Sequence, residues 1–198
     1  MATSSVKNIE GGAASARPET LQQIFEAFHG NGIEFTSGSG VRLQSDIVTV
    51  HEGKHATREL LDNIFEHAPL SALREVCIIG LDEAFSVEAD GDDLLRNHIQ
   101  RLTRADVRER ILICDGDTRF INAPECYRWL PRDYFTRAAP IYIYGDHVAI
   151  HSGTLHRRTV ILNLRPLAQH LRRLFDLLWD EVAFAPRIMH EDRILVRR

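Results

Sequence analysis

Asp115, Asp117 and Arg119 alternate along CDGDTRF, residues 114 to 120, directly after the apolar run RERILIC. Carboxylates set beside a guanidinium suit a hydroxyl-bearing or charged small molecule, because both can form charge-assisted hydrogen bonds. If the apolar run is a central strand, the loop leaves its C-terminal end, where open α/β sheets place ligands. The stretch WLPRDYFTR that follows supplies Trp129, Tyr134 and Arg137, an apolar wall with polar handles. The plainer reading of the same loop is a solvated turn, and the aromatics read equally as cover for a sheet edge.

His147, His151 and His156 are the other cluster with chemical potential. On one strand His147 and His151 would share a face. A strand supplies two ligands at most, no acidic or thiol group joins them at compact spacing, and transition metals want three or four, so no metal site and no cofactor is expected. Partly exposed polar residues are the plainer account. HEGKH at 51 to 55 lacks the spacing of the H-E-x-x-H motif and reads as a turn entering the helix from Thr57. Cys77, Cys114 and Cys126 form no C-x-x-C pair and read as structural thiols of a reducing compartment.

The elements that must position these residues follow from periodicity. PETLQQIFEAFH places Leu21, Ile24, Phe25 and Phe28 at helical spacing and stops at Gly30-Asn31-Gly32. Two alternating stretches around Ser-Gly-Ser-Gly predict a hairpin. ATRELLDNIFEHAP is a helix, LREVCIIGL a strand apolar on both faces, DDLLRNHIQRLTRADV a helix and RERILICDGD a second such strand. INAPECYRWLPRDYF reads as irregular. IYIYGDHVAI is a strand, a Gly-Asp turn and a strand; RRTVILNL is another strand. RPLAQHLRRLFDLLWDEVA is a long helix with a stripe of Leu167, Leu171, Leu174, Phe175, Leu178 and Val182, extended by Trp179, opposite Arg172, Arg173, Asp176 and Asp180. Helices alternating with fully apolar strands predict an α/β fold, a mixed β-sheet flanked by helices.

The order strand, turn, strand, strand, long helix ending in FDLLW resembles the C-terminal half of phospholipase-D-like domains. It is also similar to the effector domain of TrmB-type transcriptional regulators, which share that fold; both IYIYGDHVAI and LFDLLWDEVA stand at the expected separation, and the resemblance spans about residues 48 to 183. It implies a phospholipase-D-like half-domain. Enzymes of that kind use H-x-K-x-x-x-x-D, the His attacking phosphorus and the Lys neutralising the equatorial oxygens. Laid back from Asp146, the spacing puts Ala139 at the His position and Ile141 at the Lys position. Neither side chain can attack phosphorus or donate a hydrogen bond, so no catalytic residue is expected and the chain is expected not to be an enzyme. Asp146 remains, as a turn residue or a member of a ligand site.

Composition bounds the rest. The 198 residues carry a net charge of -4 with 44% hydrophobic and 26% charged residues, which is globular and argues against a chain-wide grip on nucleic acid. Arg157-Arg158, Arg172-Arg173 and Arg197-Arg198 are local basic pairs, and Asp176 and Asp180 make the second a solvated, salt-bridged face. No run approaches the ~18 apolar residues of a membrane span and no secretory h-region opens the chain, so a cytoplasmic protein is expected.

The expected organisation is a flexible leader at 1–17, a helix and hairpin extension at 18–47, the phospholipase-D-like domain at 48–183 and a tail at 184–198. No helix-turn-helix pair precedes the shared region. The resemblance thus implies a homodimeric ligand-sensing or oligomerisation module, binding a small molecule or a protein partner and acting in transcription regulation through that partner. The regulators are thought to sense sugars. The competing readings are a phosphodiesterase or nuclease with a site relocated to His147, His151 and Asp146, and a structural scaffold.

Overall fold

The computed structural model describes residues 17–29, 33–35, 40–43, 47–137, 139–152 and 156–186. The expected leader up to residue 16, the Gly30-Asn31-Gly32 stop, most of the Ser-Gly-Ser-Gly turn, and the tail from 187 with its Arg197-Arg198 lie outside them. The chain divides into two compact units, Met1–Asp46 and Ile47–Arg198.

In the first unit, α1 (Pro18–His29) is followed by β1 (Ile33–Phe35) and β2 (Val41–Leu43), which pair antiparallel. Phe35 stacks on Phe25 at 5.7 Å and meets Phe28 edge-on at 5.5 Å. The helical spacing thus gathers aromatic rings onto the hairpin.

The second unit is built on a seven-stranded mixed sheet in the order β3-β9-β8-β7-β4-β5-β6. Its strands are β3 (Val48–Glu52), β4 (Glu75–Ile79), β5 (Arg108–Cys114), β6 (Tyr127–Leu130), β7 (Ile141–Tyr144), β8 (His147–Ser152) and β9 (Arg158–Asn163). β4, β5 and β6 run parallel and the other pairings are antiparallel. The helices are α2 (Ala56–His67), α3 (Glu83–Asp90), α4 (Asp92–Arg104) and α5 (Arg165–Leu177), the last running into a π-helical turn at Leu178–Val182.

The sheet is covered on both faces, which is why β4 and β5 carry the apolar runs VCII and ILIC. On one face Val76, Ile78, Ile111, Ile113, Tyr142, Tyr144 and Ile161 pack with Leu60 and Ile64 of α2 and Leu102 of α4. On the other, Cys77, Leu112, Ile143 and Val148 pack with Ala168 and Phe175 of α5 and with Trp179. The expected α/β class, a mixed sheet flanked by helices, is the one adopted.

Four details depart from the sequence reading. Residues 127–130 are a strand pairing with Ile111 to Cys114, so the stretch read as irregular extends the sheet. α3 occupies EAFSVEAD, for which no helix was expected. The face of α5 is rotated: Leu174 is 43% exposed, whereas Arg172, read as solvated, is half-buried against Glu75. Glu75 takes Arg172 at 2.7 Å and Arg110 at 2.8 Å, and Arg110 also holds Asp176 at 2.7 Å. Burial beside this network pushes the Cys77 thiol up to about 12, the pattern of an inert structural cysteine. His147, read as partly exposed, is buried.

Candidate ligand-binding site

α3 begins where β4 ends. Gly80 has φ +82°, and a Cβ there would lie 2.8 Å from the Thr136 carbonyl oxygen, so only glycine lets the 136–137 loop press against this corner. Asp82 caps the helix by accepting from the Phe85 amide at 3.1 Å, and Gly91 at φ 85° ends it. Beneath it lies a cavity of about 340 Å³, a volume suited to a small ligand.

The floor is the α2/α4 face of the sheet: Ile78, Ile111, Tyr142 and His151. The walls include Leu61 of α2, Phe85 and Ser86 of α3, and Leu95, His98 and Ile99 of α4. Into this apolar surround the chain places Glu83, 4% exposed, and Glu109, 8% exposed. Tyr127 donates its hydroxyl hydrogen to Glu83 Oε1 at 2.5 Å, while Asn122 Nδ2 donates to Glu109 Oε2 at 2.7 Å and the Asn122 amide donates to the Tyr127 oxygen at 2.9 Å. One polar chain therefore joins both carboxyls.

Burial holds both groups far above the usual carboxylate range, each at about 7. For Glu83 the charges of Asp117 and Asp82 add to the effect and the Tyr127 hydrogen bond opposes it. For Glu109 the Glu83 charge adds and the Asn122 hydrogen bond opposes. His98, 5% exposed, is pushed down to about 4 by burial and by Arg101, with Asp62 opposing, and its Nδ1 has no partner among the described residues. His151 is lowered mainly by burial, and its Nδ1 shares a hydrogen bond with Thr159 at 2.7 Å.

The remaining acids on the wall are neutralised. Asp82 pairs with Arg137 at 3.2 Å, and Asp90 pairs with Arg157, the residue before β9. The Asp82–Arg137 pair also borders a wide, open depression on the far side of α3, shared with Phe85.

That depression holds much of the site expected from sequence. Asp115, Asp117, Arg119 and Arg137 all line it, together with Arg132. Trp129 does not: it is buried, its indole Nε1 donates to the Asp117 carbonyl oxygen at 2.6 Å, and its ring meets Phe184 edge-on at 6.0 Å. It thus fastens the loop. Tyr134 is 71% exposed and lines neither hollow. Asp146 sits in the β7–β8 turn with Arg165 at 3.8 Å, at the opposite end of the hairpin from Pro140 and His151 on the cavity wall.

His147, His151 and Asp146 do not converge. Four steps along the strand, about 13 Å, separate the histidines, and the His147 ring lies 4.2 Å from that of His67. Among the described residues no group of three or more His, Cys, Asp or Glu could hold a metal ion. Ile141, at the would-be lysine position, packs on the α5 side of the sheet, away from the cavity. Sequence reasoning missed Glu83, Glu109 and His98. Glu109 had a signal: two-residue alternation puts it on the same face of β5 as Ile111 and Ile113, the face that packs on the core.

No family model and no curated protein sequence matches the chain. Among solved structures it is similar to TrmBL2, an archaeal chromatin protein described with a novel mode of DNA binding, at 12% identity and a TM-score of 0.47; 91% of this chain is covered and it spans 64% of that one. It is also similar to Nuc from Salmonella typhimurium, a phospholipase D family member, at 14% identity and a TM-score of 0.44, covering 70% of this chain and 98% of that one. NucT from Helicobacter pylori aligns at 11% identity and a TM-score of 0.46, covering 69% and 98%. No helix among the described residues is long and apolar enough to cross a membrane.

Proposed function

We propose that the chain is a non-catalytic small-molecule-binding module whose ligand occupies the cavity beneath α3. The observation that carries this reading is a ligand-sized hollow into which two buried carboxyl groups, Glu83 and Glu109, are built and hydrogen-bonded from behind by Tyr127 and Asn122. Burying two acids is costly, and a core with no ligand to recognise would be more stable with apolar residues there.

Binding without turnover is supported by the absence of a nucleophile where the resemblance would put one: Ala139 and Ile141 take those positions, and Ile141 faces the other side of the sheet. A role in transcription regulation, through a homodimer or a partner that binds DNA, fits the sequence resemblance. Arg157 and Arg172, two of the local basic residues, are consumed by internal ion pairs, which weighs against direct nucleic-acid binding by these groups.

The test is a ligand-observed NMR fragment screen on the full chain and on Leu95→Trp, which fills the cavity. Fragments that bind the wild type and lose binding to the folded variant uphold the reading; a hit list unchanged by the variant sinks it. Hydrolysis of bis(p-nitrophenyl) phosphate by the wild type, retained through repeated purification, would overturn the non-catalytic part.

A further inference from the structure

The charges around the cavity do not balance. Asp82 and Asp90 each have an arginine, Arg137 and Arg157. Glu83 and Glu109 have no cationic side chain in ion-pair range among the described residues; their hydrogen-bond partners are a phenol and an amide. His98 on the same wall is buried and short of a partner at Nδ1. Nothing in this surround favours an anion: a carboxylate or phosphate would meet two more acids in a low-dielectric space.

We propose, resting on the ligand-binding reading above, that the occupant is an organic cation: an ammonium or amidinium group on a compact apolar body. The cationic head supplies the counter-charge that Glu83 and Glu109 lack, and donates to their free lone pairs. The body packs on Leu61, Leu95 and Ile99, with the Tyr142 and Phe85 rings as faces for the charge. Burial holds the two acids at about 7; an adjacent cation favours their charged forms, so binding near neutral pH releases protons. The charged and titratable groups that face the pair are Asp82 and Asp90 at the two ends of α3, Asp117 after β5, and Tyr127 on β6. His98 and His151 close the wall from α4 and β8, and Tyr142 and Cys126 are themselves raised and stay protonated.

The experiment is isothermal titration calorimetry of the full chain with benzylamine, benzamidine and the neutral analogue benzyl alcohol, in phosphate and in Tris at pH 7. The expected result is binding of the cations at least about tenfold tighter than the alcohol, a buffer-dependent enthalpy that reports proton release, and tightening from pH 6 to pH 8. Glu83→Gln/Glu109→Gln, which keeps the shape and the hydrogen bonds, is expected to erase that preference while remaining folded by circular dichroism. Alcohol and amine binding equally, with no proton release, would overturn the cation while leaving the cavity reading intact. Binding of the three probes that Leu95→Trp does not diminish would overturn both, as would failure of all three to bind.

Discussion

Tyr127, on the parallel edge strand β6, reaches Glu83 at the first turn of α3 with a 2.5 Å hydrogen bond, so the newest strand of the sheet is fastened to the roof of the cavity by a single buried phenol and carboxyl. Tyr127→Phe removes the donor and leaves the packing. Stability is expected to fall by about 1–2 kcal/mol, the cost of an unsatisfied buried acceptor. Because the hydroxyl also pulls Glu83 downward, its loss moves the disappearance of a protonated-carboxyl infrared band to higher pH. An unmoved band would contradict the assignment.

The buried acids also set the pH dependence of folding. Unfolded, Glu83 and Glu109 titrate near 4.5; folded, at about 7. Between these values the native state binds more protons than the unfolded one, so their contribution is fully present below about pH 4.5 and is lost as pH rises through 7. The loss is on the order of 3 kcal/mol for each group. His98 runs the other way: lowered from 6.5 to about 4, it costs stability as pH falls through that window. Glu83→Gln/Glu109→Gln is expected to flatten the decline on the alkaline side in urea denaturation from pH 5 to 8.5, leaving the acid limb in place.

Gly80→Ala is expected to be disproportionately damaging for one methyl group. The residue sits at φ +82° and its new Cβ would meet the Thr136 carbonyl oxygen at 2.8 Å. Strain of about 1–3 kcal/mol is expected, with displacement of Arg137 from Asp82. Thermal denaturation reads the first; a raised ligand off-rate reads the second. Gly53→Ala, also at positive φ but in open space, is the control that separates backbone strain from the clash.

On the α5 face, Glu75 lies between Arg110 and Arg172 at the strand start, and Arg110 also holds Asp176. Glu75→Gln removes the carboxylate that Arg172 holds in a half-buried site, while Arg110 keeps Asp176, and is expected to cost about 3–5 kcal/mol. Adding Arg172→Met should recover part of that loss. No recovery in urea unfolding would show that the three charges do not act as a unit.

β4, β5, β7, β8 and β9 are legible because each contains an apolar or an alternating run, and the Gly145-Asp146 turn fixes the register Tyr144 to His147. What escaped did so for physical reasons. In α3 the apolar residues Ala84, Phe85 and Val87 do not form a helical stripe, since the helix roofs a hollow instead of covering a core; its only marks are the Asp82 cap and the Gly91 stop. β6 is four residues long and gains its strand character from Ile111 to Cys114 alongside. The acidic loop at 115–119 was visible because turn chemistry is local. Glu83, Glu109 and His98 come from three different elements, and only packing brings them to one wall.

The most direct test of the central claim is native mass spectrometry of the freshly purified wild type and of Leu95→Trp, each sprayed with and without excess benzylamine. The account predicts one small molecule per wild-type chain, either carried through purification or taken up as benzylamine, and a bare mass for the variant. Equal adduct masses on both proteins, or bare masses for both in excess amine, would contradict it.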